Sequence, residues 1–153
     1  GLCDRIHVIS DGKLVYESDI AQAALTLIGH RMAGNYTLRS PMILSDLFSL
    51  ASQPEKLPWH PFRPGVEIHR LSSTGEQGSS AALLKYEPGA TVPNHLHTGY
   101  EHIIVLSGEQ SDHQGTHTAG TLGINEPGSQ HDIISESGCI VLIVWEKPVS
   151  MQA

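Results

Sequence analysis

Several features that would place the chain in a special class are scarce or missing. Its two cysteines, Cys3 and Cys139, form no Cys-x-x-Cys pair, so we expect no disulfide framework. No run of eighteen apolar residues is present, which argues against a membrane-spanning helix. The first residues lack the basic stretch and apolar core of a signal peptide, so we expect a cytoplasmic protein. Nine Lys and Arg residues against sixteen acidic ones give a net charge of −7, which leaves no basic stripe for nucleic acid.

Charged residues of both signs make up only 16% of the chain, which is few for the surface of a soluble monomer. We therefore expect a second copy to cover part of the surface in a homodimer. The length of 153 residues suits one domain with a modest extension. We predict an extension over residues 1–40 and a main domain over residues 41–153.

From about residue 42 onward, short stretches of β-forming residues alternate with Gly, Pro, Ser and Asn. This pattern is typical of an all-β sandwich or barrel. Residues 139–145 are apolar on both faces and predict a central strand, so we assign Leu142, Ile143 and Trp145 to the core or to a dimer interface. The predicted strands cover residues 65–72, 80–86, 91–95, 100–107, 108–113, 120–124, 131–135 and 139–146.

Three side chains between residues 95 and 101 have the spacing of a metal site. His95 and His97 are two residues apart, so on a strand both imidazoles point to the same face. Glu101 is placed to begin the returning strand and to bring a carboxylate alongside. Two imidazoles and a carboxylate suit a divalent transition metal. His131, in a second segment punctuated by glycines, is the candidate fourth ligand.

The framing of these residues resembles a known family. Residues 89–108 match the pattern G-x5-H-x-H-x3-E-x6-G without a gap, and this resembles the first motif of the cupin superfamily. The second cupin motif, G-x5-P-x-G-x2-H-x3-N, is matched from Gly120 by Gly128 and His131. Glu126 stands at its proline position and Ser135 at its asparagine position. These two departures affect turn geometry rather than ligands.

The resemblance implies a jelly-roll barrel, also called a double-stranded β-helix, with one divalent metal ion inside its mouth. The ligands it implies are His95, His97, Glu101 and His131, and the ion would be Fe, Mn, Ni or Zn. Each imidazole would donate its other ring N–H to an acceptor, for which Glu126 and Asn94 are candidates. The resemblance also supports the expected homodimer.

Residues 58–66 and 120–142 are similar to the cupin domain of ChrR-like proteins, and the likeness extends over residues 42–149. That family is named for a zinc-containing anti-sigma factor with a separate N-terminal module that binds zinc through His and Cys. The cysteines of this sequence have no such spacing. We therefore expect the cupin domain to carry over, but not the sigma-factor function.

Two functions remain open. The first is a small metal-dependent enzyme of the dioxygenase, isomerase or lyase type that acts on a small organic molecule. The second is a metal-loaded ligand-binding or sensor module without catalysis. An enzyme would need a non-ligating proton donor near the metal; Tyr100 is a better candidate than Tyr86, and no catalytic residue is assigned. His60 and His69 are candidates for lining the pocket. His113 and His117 are expected to be solvated, and Cys139 to be unreactive.

The first forty residues differ from the rest. Asp11-Gly12 is a strong hairpin signal between two β-forming stretches. Asp19 then begins an apolar pattern of helical spacing that ends at Gly34. Residues 3–34 weakly resemble the tail of a sugar-importer ATPase subunit of the ABC class. The chain contains no Gly-x4-Gly-Lys-Ser/Thr loop, so we expect no ATP hydrolysis.

Overall fold

The computed structural model describes residues 5–10, 13–19 and 41–152, and the chain divides into two compact units, residues 1–44 and 45–153. In the first unit, strand β1 (Arg5–Ser10) pairs antiparallel with strand β2 (Lys13–Asp19). These strands confirm the predicted hairpin. Asp19, the predicted start of the helix, is the last residue of β2, and residues 20–34 lie outside the described residues. The resemblance to an ATPase tail stays a prediction.

The second unit begins with a short helix, α1 (Leu47–Ala51), and a 3-10 helix over Pro54–Lys56. Neither is long and apolar enough to span a membrane. The strands of this unit are β3 (His60–Arg63), β4 (Val66–Ser73), β5 (Ser80–Tyr86), β6 (Ala90–Leu96), β7 (Glu101–Asp112), β8 (Gly115–Thr118), β9 (Leu122–Asn125), β10 (Gln130–Ser135), β11 (Cys139–Trp145) and β12 (Ser150–Met151).

These ten strands form one antiparallel sheet that curls into a half-barrel. Its main path runs β12-β6-β10-β7-β11-β5-β4-β3, and β8 and β9 pair with β7 beside that path. The first half of β7 pairs with β9 and β11, and its second half pairs with β8 and β10. A single long strand therefore belongs to both sides of the fold. The all-β prediction is confirmed.

Gly108 allows this strand to continue. The sequence predicted two strands that meet at residue 108, and this was wrong because β7 runs without interruption. Gly108 has a φ of +70°, and a Cβ built on it would lie 2.0 Å from the carbonyl oxygen of Gly138. Pairing between β7 and β11 also shifts register between Ile140 and Val141. The extra residue is Leu106, two positions before Gly108, so the strand carries a bulge here instead of ending. Strands β3, β8 and β12 were not predicted.

Two apolar clusters cover the two faces of the sheet. The inner cluster takes alternate residues of neighbouring strands, as strand geometry requires, and includes Val66, Leu84 and Ile143. The outer cluster packs helix α1 against Leu83 and Leu142. Strand β11 lies between β5 and β7, as predicted for a central strand.

Candidate metal centre

The sheet register places the four predicted ligands around one point. His95 on β6 lies directly opposite His131 on β10. His97 follows the last residue of β6, and its backbone N–H donates to the carbonyl oxygen of Ser129, 2.9 Å away. Glu101 is the first residue of β7. Ligands that are distant in sequence therefore converge through the pairing of β6 with β10 and the return of the chain into β7.

The four side chains are buried and close together. One potential ligand atom from each residue lies within 4.8 Å of the others, and no side chain of the set is more than 6% exposed. Nε2 of His97 is 3.3 Å from Oε1 of Glu101, and Nε2 of His131 is 4.0 Å from the same oxygen. The structure thus brings together all four residues that the sequence singled out.

The outer nitrogen of each imidazole has a partner. Nδ1 of His95 lies 3.0 Å from the carbonyl oxygen of Pro93. Nδ1 of His97 lies 3.1 Å from the carbonyl oxygen of Ser129 and 3.0 Å from its hydroxyl. Nδ1 of His131 lies 3.2 Å from Oδ2 of Asp112. When Nδ1 donates in these contacts, Nε2 of each ring is unprotonated and can bind a metal, which is how metal-binding histidines are oriented.

These partners are not the ones that the sequence suggested. The amide of Asn94 donates to the side chain of Gln130, and the carbonyl of Glu126 accepts from the hydroxyl of Ser129. Asp112 lies nineteen residues before His131. Only the pairing of β7 with β10 and the local turn bring the two together, so no spacing rule could have found Asp112.

Glu101 is held by donors on both neighbouring strands. Nδ2 of Asn125 donates to Oε1 at 2.9 Å, and Nε1 of Trp145 donates to Oε2 at 2.7 Å. Both are the cross-strand partners of Glu101, on β9 and β11. Burial opposes ionisation of this carboxyl, but the nearby imidazole of His97 and the amide of Asn125 outweigh it and lower its pKa. Glu101 is therefore a carboxylate.

The four candidate ligands fit a divalent transition metal. Burial is the largest influence on His95 and lowers its pKa, which favours the neutral imidazole that can bind a metal. Nε2 of His97 is buried and has no hydrogen-bond partner among the described residues, although Glu101 is close. A buried polar nitrogen without a partner is costly, and a metal ion bound by all four side chains would satisfy it.

An inner cavity of about 50 Å³ adjoins three of the four side chains. Its polar lining includes His95, Glu101, His131 and Tyr86. Burial raises the pKa of Tyr86, so its hydroxyl stays protonated. The preference for Tyr100 over Tyr86 was wrong, because Tyr100 is 43% exposed and does not line this inner cavity. Tyr86 lies at the end of β5, too far away in sequence to be placed without coordinates.

A second cavity, of about 240 Å³, is also lined by His131. Asp112 lines it, and Oδ1 of Asp112 lies 3.1 Å from Nε2 of His117. Gln110 also lines this cavity, and its buried Oε1 has no partner among the described residues. His117, which was expected to be solvated, is therefore half-buried and linked through Asp112 to His131. Burial opposes ionisation of Asp112, but the backbone N–H of Gln114 and the two imidazoles outweigh it and lower its pKa.

The remaining candidates lie elsewhere. His60 is exposed. His69 packs beside Trp59 in the outer cluster, with ring centroids 6.3 Å apart. Burial raises the pKa of Cys139 to about 11, so its thiolate is scarce at neutral pH, as expected for an unreactive cysteine.

Comparison with known proteins gives the same fold. The family model described as the ChrR Cupin-like domain matches residues 49–149. The anti-sigma-E factor ChrR of Cereibacter sphaeroides is 31% identical over 113 residues, which are 72% of this chain and 51% of that protein. The chain therefore spans about half the length of this curated relative.

Two solved structures extend the comparison. The crystal structure of Rhodobacter sphaeroides SigE in complex with the anti-sigma ChrR matches with a TM-score of 0.54 and 28% identity, over 70% of each chain. An acetylacetone dioxygenase from Acinetobacter johnsonii matches with a TM-score of 0.60 and 18% identity, over 77% of this chain and 80% of that one. The second likeness shows the fold alone. Together these matches confirm the predicted cupin jelly roll.

Proposed function

The chain belongs to the ChrR cupin-like domain family, and from this premise we propose that it is a mononuclear metal-binding cupin that acts as a small metal-dependent enzyme on a small organic molecule. One observation supports this most. Three imidazoles with anchored Nδ1 atoms converge on Glu101 beside a cavity that is lined by Tyr86, whose hydroxyl is protonated. An enzyme needs such a non-ligating proton donor next to its centre, and a purely structural metal site does not.

His95, His97, Glu101 and His131 would hold one ion of Fe, Mn, Ni or Zn. A bound ion would supply Lewis acidity, and iron would add redox chemistry of the dioxygenase type. Asn125 and Trp145 fix the carboxylate of Glu101 through its two oxygens. Tyr86 would donate a hydrogen bond to an oxygen of the bound molecule, and the apolar walls around it would exclude water.

Metal content tests the proposal. Protein purified without chelators and without nickel affinity resin would be measured by plasma mass spectrometry. We expect about one equivalent of metal in the parent, and near zero in His97→Ala, because that variant removes one of only four ligands. His69→Ala removes a histidine outside the site and should keep the parent's content. A parent protein without metal, and without uptake on reconstitution, would overturn the proposal.

The alternative is a metal-loaded sensor or regulatory module without catalysis. The relation to the anti-sigma-E factor ChrR favours it, because a member of the same family is crystallised with SigE. Calorimetric titration of the metal-loaded chain with that SigE separates the two functions. Specific binding at micromolar affinity or better would support the regulatory module, and no binding would support the enzyme.

The proposal keeps the expected cytoplasmic location and homodimer. Strands β9 and β11 expose three large apolar side chains on the outer face, from Leu122, Ile124 and Val144. Val144 and Ile124 flank His102 in register, so they form one continuous row. A second copy of the chain is the proposed cover for this row. Sedimentation equilibrium that gives only the monomer mass at micromolar concentration would contradict that part of the proposal.

A further inference from the structure

A third cavity, of about 540 Å³, lies next to the inner cavity at the metal centre. We call it the outer cavity. Four residues line both cavities: Phe62, Arg63, Trp145 and Val149. The two spaces therefore adjoin each other along these four residues.

Two arginines give the outer cavity its charge. The guanidinium carbon of Arg63 lies 5.2 Å from the ring centroid of Phe62, and that of Arg70 lies 5.9 Å from the same centroid. They are the only two arginines between residues 41 and 152. In a chain with a net charge of −7, this is a local concentration of positive charge.

Within residues 41–152, no carboxylate oxygen lies within 4.0 Å of either guanidinium. Of the residues that the structure describes, Glu76 is the one acidic residue that lines the outer cavity. Two cations against one anion leave an excess of one positive charge. This balance favours a ligand with a single negative charge over a multiply charged phosphate ester.

Strand geometry explains the position of Arg70. Val66 and Ile68 belong to the inner cluster, so alternation places Arg70 on the same face of β4, at the exposed end of that row. Arginine forks match the two oxygens of a carboxylate, and an aromatic wall such as Phe62 holds them in place by cation–π contact.

We propose that the outer cavity binds the carboxylate of a small organic acid through Arg63 and Arg70. The apolar part of the acid would lie against Phe62 and Trp145, and its far end would point to the inner cavity. This inference rests on the proposed function in one respect, since it identifies the class of molecule that would reach the metal centre.

Calorimetry on the full chain tests it with matched pairs of acid and neutral amide: benzoate and benzamide, phenylacetate and phenylacetamide, hexanoate and hexanamide. We expect at least one acid to bind tenfold or more tightly than its amide, roughly the contribution of one hydrogen bond to a charged group. Arg63→Gln and Arg70→Gln should each remove most of this preference. Lys85→Gln removes a positive charge from the outer face, where Lys85 pairs with Glu67, and should leave the preference intact.

Arg63→Lys keeps the charge but loses the fork, so it should retain only part of the preference. Arg70 is exposed, so Arg70→Gln keeps the test valid even if a change at Arg63 disturbs folding. Acids that bind no tighter than their amides at millimolar concentration would overturn the inference, as would a preference that survives both arginine variants. Measuring the metal content of the same samples distinguishes a failure of this inference from a failure of the proposed function. A metal-free protein whose acid preference still depends on the arginines would refute the proposed function alone.

Discussion

The two ends of strand β7 carry carboxylates that meet the same imidazole from opposite sides. At the start, Oε1 of Glu101 lies 4.0 Å from Nε2 of His131. At the end, Oδ2 of Asp112 lies 3.2 Å from Nδ1 of His131. Both side chains are buried, with 3% and 7% of their surface exposed. The same chemical group can therefore be a candidate ligand at one end and an orienting partner at the other, according to which ring nitrogen it faces.

The two carboxylates are also held differently. Glu101 takes its donors from the strands on either side, through Asn125 and Trp145, so the sheet itself fixes its position. Asp112 takes its donors from the turn and the strand that follow β7, through the backbone N–H of Gln114 and the ring of His117 on β8. We conclude that the candidate ligand is set by sheet register, whereas the orienting partner depends on a local hairpin. The predictions below test this difference.

The largest expected effect comes from a substitution at Gly108, within the long strand β7. In Gly108→Ala, the new Cβ would meet two backbone groups, the carbonyl oxygen of Gly138 and Cα of Cys139. Neither can move aside as a side chain could. We expect the free energy of unfolding to fall by roughly 2–5 kcal/mol, from backbone strain and overpacking together. Denaturant unfolding measures it.

Gly89→Ala is the matched control. Gly89 has a φ of +81°, but a Cβ there would meet nothing within 4 Å. Only backbone strain remains, at about 1–2 kcal/mol. Equal losses in the two variants would contradict the role of the close approach between Gly108 and Gly138.

The next largest effect is on metal affinity, and it should differ between variants of the two carboxylates. Asp112→Asn should leave one metal site per chain but weaken it roughly 10- to 100-fold, because His131 loses the partner that orients it. Glu101→Gln should weaken the site more, because it removes a charged ligand. Competition against a chromophoric chelator gives both affinities. If Asp112→Asn lowers metal affinity as much as Glu101→Gln, the distinction between ligand and orienting partner is wrong.

The smallest expected effect comes from removing the hydroxyl of Ser129, because a second group can take its place beside His97. The hydroxyl of Ser129 lies 3.0 Å from Nδ1 of His97, but the carbonyl oxygen of Ser129 lies 3.1 Å from the same nitrogen. Ser129→Ala leaves that carbonyl in place. We expect metal affinity to fall by only about two- to threefold, the effect of one weak hydrogen bond. A loss as large as that of Asp112→Asn would show that the hydroxyl, and not the backbone, orients His97.

The sequence predicted much of this fold because its signals are local. The spacing of His95, His97 and Glu101 follows from the period of a strand and from one return of the chain. The glycines that frame the set are close enough to be read as one motif. Residues 139–145 are apolar throughout, so a central strand could be predicted without knowledge of its neighbours.

The parts that were missed depend on long-range register. The partnerships of Asp112 with His131 and of Trp145 with Glu101 arise from strand pairing, over nineteen and forty-four residues. The position of Tyr86 in the inner cavity depends on how the sheet curls. The prediction of two strands that meet at residue 108 was wrong because β7 continues through Gly108, which has a positive φ.

The fluorescence of Trp145 can report on the region between the two cavities. Its ring lines both the inner and the outer cavity, and its N–H donates to Glu101. The chain has one other tryptophan, Trp59, which packs in the outer cluster beneath Lys85. Indole emission responds to the polarity around the ring, so the fold carries its own fluorophore in the wall between the two cavities. With Trp59 replaced by phenylalanine, the remaining emission would come from that wall alone.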